Sequence, residues 1–312
     1  MKILFITSNR IGDAVLTTGV LAWLERHYPS ATFTIACGPH GADLFRAVPR
    51  LERLLIMKKR KANGHWLSLW ARCIGTRWDL IVDFRNSLVS RLLYAKKRAI
   101  LSHHTGAHKV IDNASVLKLV PPPDPHIWLS DDALKKAETL VPSNRPVLAL
   151  GPAANWPLKQ WPVDSFVALM KALTGPDGPL PDAPVMVFAD RHERPTIEPL
   201  VEAIPENRRI ILIGHDLQTV AACLKKARLY IGNDSGLMHL AAALHVPTLG
   251  LFGPGFPDIY GPWKGVSITT PESRDALLKK AATQTPPPKT LMQSLSVERV
   301  LAAAQDLLKK TA

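Results

Sequence analysis

Three short stretches of this sequence carry the residue types that can do chemistry. In Gly232-Asn233-Asp234-Ser235-Gly236, turn formers and helix N-cap residues follow an apolar run ending on Tyr230 and Ile231, and helical spacing resumes over residues 237–244. A helix that begins at Asp234 or Ser235 presents free backbone N–H groups and the positive end of its dipole, and Gly236 lets a ligand come close to the backbone. Such a start binds anions, phosphate most naturally. His239, four residues after Ser235, falls on the same helical face, within reach of a phosphate or a sugar hydroxyl. The same residues also make an ordinary capped helix with a surface histidine, and local features do not choose between the two. The second stretch, Ser8-Asn9-Arg10-Ile11-Gly12-Asp13, sets a glycine and a carboxylate between a strand and a helix, where Asp13 either caps the helix or faces a ligand. In the third, residues 151–162, Lys159 is either solvated surface or an ammonium placed to neutralise a pyrophosphate.

The elements that position these loops alternate along the chain. Strands are expected at 2–7, 32–37, 54–57, 80–84 and 99–101, with helices from Asp13 to before Pro29 and at 39–47, 65–75 and 87–94. A helix at 130–140 lies between two proline-rich shifts in composition, 121–125 and 142–146, and the linker is expected across this region. A second series follows: strands at 147–150, 185–189, 210–213 and 229–232, helices at 162–173, 196–203 and 217–225, the helix-start motif with its short strand, and a closing helix at 297–308. Alternation of this kind predicts an α/β protein with two doubly wound parallel sheets. The domains are expected at 1–140 and 146–290, with 291–312 as the closing helix. Loops at the carboxyl edges of such sheets bind ligands, which puts Asp13 on one wall of a central cleft and Ser235 on the other.

Composition narrows the possibilities. At 312 residues with 46% hydrophobic and 21% charged residues, the chain is globular and long enough for two cores. No apolar run approaches the length of a membrane span, and the N-terminus lacks the order of a signal peptide, so a cytoplasmic protein is expected. Cys37, Cys73 and Cys223 are odd in number and widely spaced, which fits buried free thiols rather than a disulfide framework or thiolate zinc site. His103, His104 and His108 have no carboxylate or cysteine to complete a metal set. Residues 1–145 hold 22 Lys+Arg against 11 Asp+Glu, net +11, while 146–312 hold 17 against 15, net +2. The first half is therefore expected to meet an acidic partner. The run Lys58-Lys59-Arg60-Lys61 precedes Trp66, Leu69, Trp70 and Cys73 on one helical face, which suits either a contact with an anionic membrane surface or a core helix after a solvated loop. No stacking platform or recognition motif accompanies the basic residues, which argues against nucleic acid as a partner.

Taken together the three stretches resemble glycosyltransferase family 9, the bacterial heptosyltransferases of the lipopolysaccharide inner core. The matching residues are Arg10, Gly12, Asp13 and Leu16; Lys159-Gln160-Trp161-Pro162; and Asp234-Ser235-Gly236 with His239, Ala241 to Ala243, Pro247 and Phe252-Gly253-Pro254. The resemblance implies a GT-B fold, with the acceptor on the first domain and a nucleotide sugar on the second. It implies an inverting, metal-independent transfer of heptose from ADP-L-glycero-D-manno-heptose, with no cofactor, to a phosphorylated lipid A/core acceptor. The site of action would be the cytoplasmic face of the inner membrane. Asp13 would be the general base, with Arg10 and Gly12 on the acceptor side. Lys159 would stabilise the diphosphate, with Asp234, Ser235, Gly236 and His239 completing the donor site. Asn155 and Glu193 are expected as further donor contacts, Glu193 to the ribose or base with Asp190 as its alternative. Alternatives are a related transferase using a UDP- or GDP-linked sugar and a silent nucleotide-binding relative. The sequence departs from the family pattern at Gly255, where a threonine often follows Phe-Gly-Pro, and at residues 188–193, which replace a glycine-rich turn.

Overall fold

The computed structural model describes residues 1–59, 61–103, 105–142 and 144–311, so Arg60 of the basic run and His104 of the histidine group lie outside the described residues. The chain divides into two compact units, Met1–Ser130 and Asp131–Ala312. The first is built on a parallel sheet of β1 (Lys2–Ile6), β2 (Thr32–Cys37), β3 (Leu51–Ile56), β4 (Trp78–Asp83) and β5 (Ala95–Ile100), in the order β3-β2-β1-β4-β5. The helices are α1 (Ile11–Val15), α2 (Thr18–His27), α3 (Gly64–Cys73), α4 (Leu88–Leu92) and α5 (Lys109–Ser115). The single helix expected from Asp13 onward is broken in two. Thr17 Oγ1 donates to Ala14 O at 2.8 Å and lies 2.8 Å from Thr7 Oγ1, while Thr18 Oγ1 donates to Val15 O at 2.6 Å. Hydroxyls bonding back to the chain in this way compete with the helix ladder. Residues 39–45, expected as an α-helix, form a 3₁₀ helix. β5 begins four residues earlier than expected and takes in Lys96, Lys97 and Arg98, whose side chains an edge strand leaves in water. The proline segment expected to be linker instead packs on α2, the carbonyls of Pro123 and Asp124 lying over Gly19.

The second unit carries a six-stranded parallel sheet of β6 (Val147–Gly151), β7 (Val185–Ala189), β8 (Arg209–Ile213), β9 (Ala227–Asn233), β10 (Thr248–Phe252) and β11 (Val266–Thr269), in the order β11-β10-β9-β6-β7-β8. Its helices are α6 (Asp131–Leu140), α7 (Val163–Thr174), α8 (Arg194–Ala203), α9 (Leu217–Leu224), α10 (Gly236–Ala243), α11 (Pro257–Tyr260), α12 (Arg274–Thr283) and α13 (Val297–Lys310). The helix α6, assigned by the sequence to the first domain, packs on α9 in this unit, with Ala133 and Ala137 buried and Lys226 Nζ 2.7 Å from Glu138 Oε2. The closing helix α13 puts Val300, Ala304, Leu307 and Leu308 into the same core as α7 and β6.

Each sheet reverses its strand order once, between β1 and β4 in the first unit and between β6 and β9 in the second. Beyond the carboxyl ends of strands at such a reversal, neighbouring connections leave in opposite directions and open a crevice, the usual ligand site of an open α/β sheet. The loop carrying Asp13 follows β1. The loop carrying Lys159 follows β6, and the motif Asp234-Ser235-Gly236 follows β9.

Candidate functional site

In the second unit, Asn233 joins two of these loops. It is fully buried at the end of β9, where Oδ1 accepts from Trp161 N at 3.0 Å and Nδ2 donates to Pro152 O at 2.7 Å. The loop after β6 is thereby tied at both ends to β9. Its middle is folded by Gln160 Nε2 donating to Ala154 O at 2.7 Å and by a 3₁₀ turn, Pro157–Lys159. From outside, the segment before α13 holds it, with Leu291 N donating to Leu158 O at 3.0 Å and Trp161 Nε1 donating to Leu295 O at 2.8 Å. This framework delivers Lys159 Nζ to Asp234 Oδ2 in a direct ion pair whose side chains are 23% and 10% exposed. The lysine and the acidic residue, 75 positions apart in sequence, therefore meet beside the start of α10.

The side chain of Ser235 at the N-cap of α10 accepts no hydrogen bond from the first turn, as is also so at α1, α2, α3, α7, α8 and α11, whereas the N-cap side chains of α4, α9, α12 and α13 do. The first N–H groups of α10 have no partner inside the helix, so they are left to whatever occupies the crevice. Ser235 Oγ is buried and turned inward to the hydroxyl of Tyr230, and neither makes a hydrogen bond of standard geometry. Burial pushes the Tyr230 phenol well above its ordinary pKa, the Ser235 hydroxyl acting in the opposite direction. The ring reaches this place by lying along the sheet over Gly151 and Gly232, which pair in register on β6 and β9; a Cβ on either would collide with the phenol oxygen. Gly236 is the first residue of α10, and His239 is buried one turn further along.

Other expected donor residues lie at the same sheet edge with different partners. Asn155 is exposed in the loop after β6. Glu193 follows β7, where its Oε2 accepts from Asp190 N at 2.8 Å while Asp190 Oδ1 accepts from Arg191 N at 2.6 Å. Both acids thus serve a capping box at the entry to α8. The departure at Gly255 has a steric reason, because a Cβ there would stand 2.8 Å from Asp234 Oδ2. Arg274, on a helix the sequence reading missed, donates from Nε to Pro254 O at 3.2 Å, and its guanidinium lies 4.2 Å from the Phe256 ring centroid. No local signal identified it, since α12 buries only Leu277.

In the first unit, Asp13 sits in the first turn of α1 and accepts a long hydrogen bond, 3.4 Å, from Ser8 Oγ. Two other acids near this edge are committed to structure. Asp83 accepts from Arg85 N, Ser87 N and Ser87 Oγ, each at 2.7 Å, and Asp112 accepts from Thr105 N at 3.0 Å and Thr105 Oγ1 at 2.6 Å. Arg10 is exposed at the N-cap of α1, next to Gly12 in its first turn. Lys109, not singled out by the sequence, is half-buried at the start of α5. Burial lowers its pKa, and the charges of Asp112 and Asp13 oppose that shift. Asn113 Nδ2 fixes α5 in place by donating to Leu16 O at 2.9 Å. Among the described residues no group of three or more His, Cys, Asp or Glu could hold a metal ion, and no helix is long and apolar enough to cross a membrane.

Comparison with known proteins gives these loops a family. The chain is 24% identical to lipopolysaccharide heptosyltransferase 2 of Salmonella typhimurium over 310 residues, covering 84% of this chain and 85% of the relative. Its fold is similar to that of a family 9 glycosyltransferase from Veillonella parvula, with TM-score 0.78 and 20% identity over 99% and 97% of the two chains. It is similar as well to E. coli ADP-heptose lipopolysaccharide heptosyltransferase II, with TM-score 0.76 and 20% identity over 100% and 99%. These likenesses establish the GT-B class of two parallel-sheet α/β units. The family model of glycosyltransferase family 9 (heptosyltransferase) matches residues 90–284, well over half of the sequence, and the chain therefore belongs to that family of glycosyltransferases.

Proposed function

We propose that this chain transfers a heptose from ADP-L-glycero-D-manno-heptose to a hydroxyl of the lipopolysaccharide inner core, inverting the anomeric centre and using neither metal nor other cofactor. The observation that carries the reading is the Lys159–Asp234 pair beside the uncapped start of α10. A diphosphate seated there receives an ammonium and a row of backbone N–H groups, fixed before the reaction where the leaving group gains charge. In this reading the donor binds the second unit through Asp234, Ser235, Gly236 and His239, with Asn155 at the rim. Asp13 takes the proton from the acceptor hydroxyl. The hydroxyl oxygen bonds to the anomeric carbon from the side opposite the diphosphate, the bond from that carbon to the phosphate oxygen breaks, and its electron pair leaves with ADP. A positioned carboxylate base contributes about 10²- to 10⁴-fold to such a step.

The acceptor side is supported by charge. The first unit holds 19 Lys+Arg against 8 Asp+Glu, net +11. Arg10, Lys58, Lys59 and Arg85 are exposed in loops that follow its strands. This suits a phosphorylated lipid A/core acceptor presented at the anionic cytoplasmic face of the inner membrane. The curated relative from Salmonella typhimurium is a lipopolysaccharide heptosyltransferase, which supports the same substrate class. The capping role of Glu193 leaves the donor base open to a second reading, a UDP- or GDP-linked sugar. Incubation with ADP-heptose and deep-core lipid A should release ADP. Turnover of a UDP- or GDP-linked sugar with no ADP release would overturn the ADP-heptose reading. Asp13→Ala should abolish turnover while leaving donor binding unchanged.

A further inference from the structure

We propose that the outward face of α3 and α4 docks on an anionic lipid bilayer. The two helices pack against each other in one layer over the first sheet. Leu69, Cys73, Val89 and Leu93 enter the core beneath them, and Trp66 and Trp70 pack against that core. What these helices and the chain after them turn to solvent is also apolar: Leu67 and Leu88 are each 67% exposed, Tyr94 63%, Leu92 62% and Ile74 49%. Leu88 and Leu92 stand one turn apart on the same side of α4. Single exposed hydrophobic side chains are ordinary on a protein surface, but five large ones on and beside two touching helices need a partner.

The charge around them names that partner. Residues 54–78 hold six Lys or Arg and no Asp or Glu, and residues 84–98 hold five and none. Asp79, between the two stretches, is occupied by Lys96 Nζ and the backbone N–H of Lys2, each at 2.7 Å. Guanidinium groups border the apolar surface, Arg77 lying 6.0 Å from the Tyr94 ring centroid and Arg85 5.8 Å from that of Trp66. Leucines framed by cations, with no carboxylate to repel lipid phosphate, match a bilayer in which apolar side chains enter the acyl boundary and Lys or Arg stay at the headgroups. A purely polyanionic partner would satisfy the cations and leave the leucines in water. The face differs from the one expected from the sequence, because Trp66 and Trp70 turn toward the core and Leu67 and Leu88 take the outer positions.

This deepens the membrane part of the function proposed above, and it is measured without the transfer reaction, so either can fail while the other stands. The full chain is sedimented with vesicles of phosphatidylcholine alone and with vesicles rich in phosphatidylglycerol. The wild type should bind the anionic vesicles at least about tenfold more tightly than the neutral ones. Leu88→Asp with Leu92→Asp should weaken that binding about tenfold or more without changing the melting temperature, since both side chains already lie in water. A second variant, Leu67→Ser with Tyr94→Ser, carries the test if the first does not fold, and it too should bind more weakly. The proposal is overturned by wild-type protein that ignores anionic vesicles, or by folded variants that bind them as well as the wild type does. It is also overturned by duplex DNA that outcompetes the vesicles equally for wild type and leucine variants.

Discussion

Asn233 uses both ends of its amide to hold the loop after β6 against β9, the carbonyl oxygen accepting from one end of the loop and the NH2 donating to the other. Asn233→Ala should therefore strand two buried backbone groups and cost about 2–4 kcal/mol, read as a lowered midpoint in urea denaturation. Lys159→Met removes the cation from a carboxylate that is only 10% exposed. The expected outcome is about 2 kcal/mol lost in stability, together with weaker binding of ADP in calorimetry. Tyr230 behaves in the opposite sense. Its buried hydroxyl has no hydrogen bond of standard geometry, so Tyr230→Phe should raise the stability of the ligand-free protein by about 1 kcal/mol. If the two inward hydroxyls respond to a bound diphosphate, the same change weakens ADP binding, and thermal shifts with and without ADP separate the two effects. Much of this was visible in the sequence as residue types, since Asp234, Ser235 and Gly236 announce a helix start. Their pairing with Lys159 was not, because 75 residues separate the partners and only the strand order β9-β6 makes them neighbours.

At the scale of elements, the strands that read most clearly are those whose apolar runs are buried on both faces, such as β6 and β7. The elements that were missed or misplaced lack that signal. β5 carries three consecutive basic residues and is a strand because β4 offers it an edge, while α12 buries one leucine and depends on its Ser273 cap. The break between α1 and α2 was hidden because threonine hydroxyls, rather than glycine or proline, interrupt the helix. The three cysteines were read correctly as free and buried. On β2, α3 and α9 respectively, Cys37 is pushed by burial from the ordinary 9.0 to about 12, and Cys73 and Cys223 to about 11. A thiol near 11 is about 0.1% thiolate at pH 8, so iodoacetamide should label none of the three in the native protein and all three in urea. Because the folded state holds these protons more tightly than the unfolded chain, the associated stability is intact below about pH 9 and is lost as the pH rises above it.

At the scale of the whole molecule, each unit has its own sheet and its own buried cluster, and charge is divided as unevenly as the chemistry: net +11 on Met1–Ser130 and +2 on Asp131–Ala312. Two such units need not unfold as one. Urea titration followed by tryptophan fluorescence should resolve two transitions, and ADP should move only the one that belongs to the second unit. A single transition would show that the two units unfold together, and an ADP-dependent shift of the first unit's own transition would count against donor binding confined to the second.

The tyrosine laid across Gly151 and Gly232 has a consequence for descent as well as for binding. The phenol fills the space that either glycine's side chain would occupy, so Gly151→Ala is forbidden while Tyr230 is present and becomes permissible once it is Val, whereas a Cβ at Gly232 would still stand 2.8 Å from the Gly151 carbonyl oxygen. Tyr230 and Gly151 can therefore drift only in a fixed order, the large residue first and the glycine after it, while Gly232 stays a glycine. In a lineage or a selection experiment Tyr230 and Gly151 should behave as one heritable character.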